Sequence, residues 1–271
     1  MSTYVAMLGM YDHPQQQAAN DALWAWIATR LKSDGLEGIP ARLQRQRSVQ
    51  EQWQDPALLF GQCCGYPFAR SYSDHLQLLA VPRYNAAYCE GTRHRSLIIA
   101  RSSDLRASLA EFRGATAAVN DAQSNTGMNL LRHTVSDLAA HGPFFGDILF
   151  TGGHVASMWS VALGQGDIAS IDAVSFAALA RAYPDLAAQL KVIAISRSVP
   201  ALPFVTSVAT PQPIAALVQQ ALFAAMETPE LTDARAALFL DGVEPILAEA
   251  YNETIEIERA SRPINVLAPV A

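Results

Sequence analysis

Charged residues are scarce in this sequence of 271 residues, and cationic side chains are fewer than anionic ones. Lys and Arg number 19 against 25 Asp and Glu, which gives a formal net charge of −6. A nucleic-acid-binding surface needs clustered Lys and Arg, and the sequence contains no such run. The composition therefore argues against nucleic acid as a partner. It does not exclude a small anion, because local dipoles can bind an anion within a net acidic protein.

Long apolar runs are also missing. No stretch approaches the roughly 20 residues that a membrane-spanning helix needs. The N-terminus has no basic residue ahead of its short apolar stretch at residues 5–10, so no signal-peptide pattern is recognisable. These absences predict a chain without a membrane span. The predicted location is cytoplasmic as the sequence stands, or periplasmic if a leader has been trimmed.

Cysteine is limited to Cys63, Cys64 and Cys89. Neighbouring cysteines rarely pair with each other, and an odd count leaves at least one free thiol. The spacing suggests no zinc site, and the sequence predicts neither a metal nor a cofactor. The ordinary interpretation is that the thiols are reduced and partly buried.

Alternating strands and helices predict an α/β fold. Short apolar runs that predict strands occur at residues 4–10, 58–60, 76–82, 96–100, 115–120, 147–150, 168–172 and 192–195, and helical spacing occurs between them, including residues 105–112. The length fits two lobes better than one core. No single linker divides the chain, which favours one lobe inserted into the other. We predict a first lobe of residues 1–101 and 199–271 and an inserted lobe of residues 102–198, with crossings near Arg101 and Ser198.

The clearest candidate site is the polar turn at residues 120–129, NDAQSNTGMN, which follows a predicted strand. A helix is predicted to begin there, and the first N–H groups of a helix lack partners within the helix and carry partial positive charge. Such a turn can bind an anion. Ser124, Asn125 and Thr126 could add side-chain donors. The alternative is a plain helix cap, which the same residue types favour.

A second strand, small-residue turn and helix occur at residues 150–154, FTGGH. His154 is predicted in the first helical turn, where the helix dipole disfavours its cationic form. A neutral imidazole can still donate one hydrogen bond to an oxyanion. The alternative is a capping or solvent-exposed histidine.

Asp172 ends the predicted strand at residues 168–172. A carboxylate at that end of a strand faces the crevice where α/β folds bind ligands. It could receive a ligand ammonium group. It could equally cap the helix that begins at Ala173.

Other candidates follow the first two strands or precede the fourth. Gln62 and Tyr66 flank the cysteine pair, Tyr11 ends the first predicted strand, and His94 lies between two arginines. Tyr66 could stack on a ligand, whereas a cationic patch around His94 would ordinarily be solvated. Cys63 could act as a nucleophile only beside a base, for which His94 and His154 are the plausible partners.

Residues 145–176, FGDILFTGGHVASMWSVALGQGDIASIDAVSF, resemble the phosphate- and phosphonate-type substrate-binding proteins of ABC transporters. The TGGH turn, the VALG helix end and the DIA segment with Asp172 carry the resemblance. The loop at 120–127 resembles the anion loop of that family, and PALPFVT at 200–206 resembles its return to the first lobe. The chain departs from the family pattern at Gly153, where serine is usual, and at His94, where an aromatic is common. It also has Ala-Leu at 201–202, where aminoalkylphosphonate binders carry an acid.

The resemblance implies a two-lobed type 2 periplasmic-binding-protein fold, with a ligand cleft between the lobes and two hinge crossings. It implies ligand contacts at the loop of Ser124, Asn125 and Thr126, at His154, at an aromatic near Tyr11 and at a residue near His94. We therefore expect a solute-binding protein that binds a small oxyanion, a phosphonate or phosphate ester, by hinge closure without turnover. An ABC transporter permease is a candidate partner.

Two other functions remain open from the sequence. An enzyme of cofactor biosynthesis can use the same fold, because fold does not fix function. It would need a poised acid or base, for which His154, Asp172, His94 and Cys63 are candidates. A ligand sensor that docks on a partner protein would need an exposed apolar patch.

Overall fold

Residues 4–139 and 142–261 are described by a computed structural model of the chain. The strands are β1 (Val5–Ala6), β2 (Leu58–Gln62), β3 (Leu76–Tyr84), β4 (Arg93–His94), β5 (Ser96–Arg101), β6 (Thr116–Val119), β7 (Asp147–Phe150), β8 (Ile168–Asp172), β9 (Leu190–Ile195), β10 (Val199–Pro200), β11 (Phe204–Ser207) and β12 (Leu240–Glu244). The helices are α1 (Gln17–Ser33), α2 (Val49–Trp53), α3 (Gly65–Pro67), α4 (Leu130–Thr134), α5 (His154–Ala162), α6 (Ala173–Ala182), α7 (Pro184–Ala188), α8 (Gln212–Glu227), α9 (Thr232–Ala237) and α10 (Asn252–Ser261). The predicted α/β class and two-lobed architecture are confirmed.

The chain divides into two units, each formed by separate segments. Of the described residues, unit 1 takes those up to Asn85, together with Glu90–Arg93 and Pro200–Tyr251. Unit 2 takes Ala86–Cys89, the described part of His94–Val199 and the residues from Asn252. The two-residue strands β4 and β10 pair with each other, and two of the boundaries between the units fall within them.

This division differs from the predicted boundaries in three segments longer than one residue, of which Ala86–Cys89 is the shortest. The chain enters the main part of unit 2 at β4 rather than near Arg101, because β5 is hydrogen-bonded between β8 and β9 in the sheet of unit 2. The last helix, α10, also belongs to unit 2 rather than to the first lobe. There Asn129 donates to the Thr254 carbonyl at 2.9 Å, and Ile257 packs with Leu130.

The sheet of unit 1 has the order β1-β2-β11-β3-β12. Strands β1 and β2 are parallel, whereas β11 is antiparallel to both β2 and β3. The Phe60 ring stacks on Trp24 of α1 at 5.6 Å and on Phe204 of β11 at 5.5 Å between ring centroids. All three rings are buried, so this aromatic stack fixes α1 against the middle of the sheet.

The sheet of unit 2 has the order β7-β6-β8-β5-β9 and a core on each face. Along β5, Ile98 and Ala100 belong to one core, and Leu97 and Ile99 belong to the other. Side chains alternate between faces along a strand, so a strand covered on both faces is apolar throughout. This explains why residues 97–100 are a continuous apolar run.

Two predicted elements are much shorter in the structure. Within residues 4–10 only β1 is a strand, and Gly9–Tyr11 forms a 3-10 turn. Within residues 105–112 only the 3-10 turn Leu109–Phe112 forms, capped by Ser108 and Glu111. Asp104, which precedes this segment, is paired with Arg106 at 2.6 Å. Among the described residues, no helix combines the length and apolar character that a bilayer crossing requires.

Candidate functional site

The ends of three parallel strands meet at one edge of the unit 2 sheet. Strand β6 pairs in parallel with β7 on one side and with β8 on the other. The carboxyl ends of parallel strands share an edge, and helices that follow them begin there. The polar turn before Thr126 follows β6, and the turn before His154 follows β7. Asp172 is the last residue of β8. The sheet order thus accounts for why these sequence-distant segments come together.

Hydrogen bonds from neighbouring strands fix the first turn. Ser124 caps the helical turn Asn125–Asn129 by accepting from the Gly127 N–H at 3.0 Å. The hydroxyl of Ser96 donates to the Thr126 carbonyl at 2.9 Å, and the hydroxyl of Ser170 donates to the same carbonyl. The side-chain oxygen of Asn125 accepts from Asn129. Ser124 and Asn125 therefore serve the loop itself, while its backbone is held on β5 and β8.

The second turn carries His154 to the first. The Gly152 N–H donates to the Asn120 carbonyl at 3.0 Å, and Gly152 adopts the left-handed region at φ 82°. His154 is the first residue of α5, and its Nε2 lies 3.1 Å from the Thr126 hydroxyl. Two helix starts are joined by this contact. A hydroxyl and an imidazole that share one hydrogen bond there can exchange it for bonds to an incoming oxyanion.

Asp172 is buried at the end of β8, and each of its carboxylate oxygens has a partner. Its Oδ1 accepts from the Ser175 N–H at 2.9 Å, which caps α6. Its Oδ2 lies 2.8 Å from His94 Nδ1, and the two side chains are 3% and 0% exposed. The capping alternative for Asp172 is thus present. The solvated patch that was the ordinary expectation for His94 is wrong, because His94 is fully buried.

The electrostatics of Asp172 follow from this pairing. Burial alone would raise the pKa of the Asp172 carboxyl. The charge and hydrogen bond of His94, helped by the charge of His154, outweigh burial and lower the pKa below its usual range. Asp172 is therefore a carboxylate at neutral pH, and His94, Asp172 and His154 form one electrostatic group in unit 2.

Two of the predicted site residues of unit 1, Tyr11 and Gln62, line a small cavity. Tyr11 is buried and meets the Tyr84 ring edge-on at 5.6 Å. Gln62 donates to the Tyr84 hydroxyl at 2.9 Å and to the Leu202 carbonyl at 3.1 Å. Tyr11, Gln62 and Tyr84 line the cavity together with apolar side chains. Tyr66 lies in α3 and is half-buried. A ligand role for these residues stays a prediction.

We expect Gln62→Met to lower the free energy of unfolding by about 1–3 kcal/mol, because a buried carbonyl and hydroxyl lose their donor. Met is close in size, so little packing should change. Chemical denaturation at neutral pH measures the loss. Gln54→Met, at an exposed glutamine that donates to the Gln50 carbonyl, is the control and should change stability by less than about 0.5 kcal/mol. Equal effects of the two variants would contradict a structural role for Gln62.

Cys63 is unsuited to nucleophilic chemistry. Cys63 is fully buried in an apolar cluster, and its thiol donates to the Cys64 carbonyl at 3.4 Å. Burial raises the pKa of the Cys63 thiol well above its usual value, so the thiol is protonated at neutral pH.

Three residues that matter to the site were missed in the sequence. Ser96 and Ser170 position Thr126, and Tyr84 anchors Gln62. The available signal was a serine inside an otherwise apolar strand, since a buried hydroxyl needs a hydrogen-bond partner. Its partner, however, lies on another element and cannot be read from local sequence.

Comparison with known proteins agrees with this architecture. Residues 6–251 match the family model for the periplasmic substrate-binding protein of phosphonate ABC transporters. A search of curated proteins found no match.

Solved structures share the fold at low sequence identity. A binding protein component of an ABC phosphonate transporter from Pseudomonas aeruginosa is 16% identical, with a TM-score of 0.72 over 92% of this chain and 83% of that one. PhnD1 from Prochlorococcus marinus, solved with methylphosphonate, is 11% identical, with a TM-score of 0.72 over 92% and 95%. A Xanthomonas citri protein bound to ATP is 13% identical, with a TM-score of 0.70 over 97% and 98%.

The family model spans nearly the whole chain, including all three strand ends of unit 2 and the cavity of unit 1. The family supplies the substrate-binding component of ABC transporters and is not an enzyme family, which removes support for the catalytic alternative. This chain belongs to the family of periplasmic substrate-binding proteins of phosphonate ABC transporters.

Proposed function

We propose that the protein binds the oxyanion of a phosphonate or phosphate ester at the strand ends of unit 2. The observation that carries this proposal is the 3.1 Å contact between the Thr126 hydroxyl and His154 Nε2. It brings the start of α5 to the helical turn that begins at Asn125. Two helix starts that converge on one point offer partly positive N–H groups to a single anion.

The ligand oxygens would take the place of the hydrogen bond that Thr126 and His154 now share. Hydrogen bonds to a charged oxyanion are roughly twice as strong as neutral ones, and burial strengthens them further. No bond of the ligand needs to break, so the protein releases what it binds. Closure of the two lobes over the ligand stays a prediction.

Family membership supports two further parts of this proposal. The substrate-binding component of an ABC transporter delivers its ligand to a permease, so we propose a permease as the protein partner. The family is periplasmic, which supports the periplasmic rather than the cytoplasmic alternative for the location.

Thermal unfolding with a ligand panel tests the proposal. The panel contains phosphate, phosphite, alkylphosphonates, aminoalkylphosphonates, a phosphate ester, sulfate and carboxylates. A ligand present at about 100 times its dissociation constant stabilises the folded state by about 2.7 kcal/mol, which raises the melting temperature by several degrees. We expect the rise with phosphorus oxyanions. A rise with carboxylates alone, or with none of the panel, would contradict the proposal.

Thr126→Ala and His154→Ala should each weaken binding of the stabilising oxyanion about 10- to 150-fold, because each removes one charge-assisted hydrogen bond worth about 1.5–3 kcal/mol. Both variants should remain folded. His154→Gln retains an N–H donor and should lose less affinity than His154→Ala. Thr134→Ala removes a threonine whose hydroxyl donates to Leu130 within α4, and it serves as the control. Titration calorimetry measures each affinity, and unchanged values in both alanine variants would refute the site.

A further inference from the structure

The carboxylate of Asp172 has both oxygens engaged inside unit 2. Oδ1 holds the Ser175 N–H at 2.9 Å, and Oδ2 holds His94 Nδ1 at 2.8 Å. His94 is fully buried, and the Asp172 side chain is 3% exposed. Neither partner is a mobile surface group that a ligand displaces easily. Ser175 belongs to α6, and His94 ends β4, one residue before β5 begins.

This arrangement is adjacent to the proposed oxyanion site. Ser96 of β5 lies opposite Asp172 in the antiparallel pair, and its hydroxyl donates to the Thr126 carbonyl. The charge of His154 acts on Asp172 as well. Among the residues at the three strand ends, Asp172 is therefore the buried carboxylate that lies nearest to a ligand bound at Thr126 and His154.

An ammonium group in such a site needs a carboxylate that is free to receive it, because an unpaired buried charge is strongly disfavoured. Each oxygen of Asp172 already has a partner and the side chain is 3% exposed, so a ligand ammonium could reach the carboxylate only in competition with His94 and the cap of α6. Giving up His94 would leave a fully buried imidazole without its partner. An added ammonium would also be repelled by any positive charge on His94 and His154.

The other titratable groups near this cluster do not substitute for Asp172. Asp121, in the turn before Thr126, is exposed, so water screens its charge. Burial, followed by the nearby negative charge of Asp172, raises the pKa of Cys89 to about 12, which keeps that thiol neutral.

We infer that the His94–Asp172 pair makes unit 2 selective for phosphonates that carry no ammonium group. The inference rests on the proposed oxyanion function and narrows its ligand class. In this role His94 is a specificity-determining residue: it occupies the carboxylate that would otherwise attract an amine.

Binding of two isosteric ligands tests the inference. Propylphosphonate and 2-aminoethylphosphonate have the same number of heavy atoms and differ in a terminal methyl against a terminal ammonium. By calorimetry at pH 7 we expect the wild-type protein to bind propylphosphonate at least about tenfold more tightly, since a buried unpaired charge loses more than an ordinary hydrogen bond. Equal affinities, or tighter binding of the amine, would overturn the inference while leaving the oxyanion function intact. If neither of these ligands binds and no other oxyanion of the panel binds, both the inference and the proposed oxyanion function are overturned.

Two variants separate the role of the pair from the rest of the pocket. Asp172→Asn keeps a capping side chain but removes the carboxylate, and the affinity ratio of the two ligands should stay within about threefold of wild type, even if both affinities fall. A selective loss of 2-aminoethylphosphonate in Asp172→Asn would show that the carboxylate receives the amine and would overturn the inference. His94→Gln weakens the interaction of residue 94 with Asp172, so the affinity ratio should shift in favour of 2-aminoethylphosphonate. A ratio that moves away from the amine in His94→Gln would also contradict the inference.

Discussion

Replacing His94 by leucine is expected to lower the free energy of unfolding by about 3–5 kcal/mol, because it leaves the Asp172 carboxylate buried without the imidazole that lies 2.8 Å from it. Leucine fills a similar volume, so a packing defect would not account for a loss of this size. Urea denaturation at pH 7, followed by fluorescence and by circular dichroism, measures the change. A loss below about 1 kcal/mol would mean that the pair contributes little to the stability of the protein.

The pH dependence of that variant distinguishes lost charge pairing from lost packing. In the wild type the Asp172 pKa is lowered, so its contribution to stability is present at pH values above the unfolded pKa of about 3.9 and disappears as the pH falls through the folded value. Without His94, burial dominates and raises the pKa of Asp172. The carboxyl can then become neutral on mild acidification, and the deficit of His94→Leu should be smaller at pH 4.5 than at pH 7. A deficit that is the same at both pH values would point to packing.

The double variant His94→Leu, Asp172→Asn provides the matching control. Removing the second charge after the first should restore at least half of the lost stability, because no unpaired charge remains. If the two single losses simply add, the residues are not coupled.

Local sequence patterns predicted the strands that carry the site more accurately than the elements at the edges of the fold. The strands at residues 147–150 and 168–172 have the predicted ends, because an apolar run bounded by polar turns leaves little choice of register. The prediction of a helix at residues 105–112 was wrong, since only the 3-10 turn Leu109–Phe112 forms there. Arg106 forms ion pairs with Asp104 and Asp167, and these contacts rather than the helical spacing determine the local backbone.

The contents of the site were predictable only in part. Thr126 and His154 stood out because each follows a strand and a turn of small residues, and the structure brings them together. The partner of Asp172 was not predictable. His94 lies between two arginines and reads as a solvated patch, and its burial depends on a strand pairing between segments more than 70 residues apart. Tertiary contacts of this kind leave no trace in local sequence.

Gly127 is where a single added methyl group should disturb the oxyanion loop most. A Cβ at this position would lie 1.6 Å from Asn120 Oδ1 and 2.7 Å from Asn120 Cγ, and 3.2 Å from the Ser124 hydroxyl that caps the turn. The Asn120 side chain would have to move, and the backbone carbonyl of the same residue holds the Gly152 N–H of the second turn. We expect Gly127→Ala to lower the free energy of unfolding by about 1–3 kcal/mol, as overpacking does. Oxyanion affinity should fall at least about tenfold, because both turns of the proposed site shift.

Gly153→Ser is the control for Gly127→Ala, because it adds a larger side chain to the second turn. A Cβ there would meet nothing within 4 Å, and the backbone at φ −176° is extended, which any residue adopts. Serine is also a favoured helix cap, so Gly153→Ser should match or slightly exceed wild-type stability. Thermal unfolding of the two variants gives the stability comparison, and calorimetry with methylphosphonate gives the affinity of Gly127→Ala. If Gly127→Ala retains wild-type affinity while its stability falls, then the loop after β6 supports the fold but does not hold the anion. The proposed site would then have to rest on the turn of His154 alone.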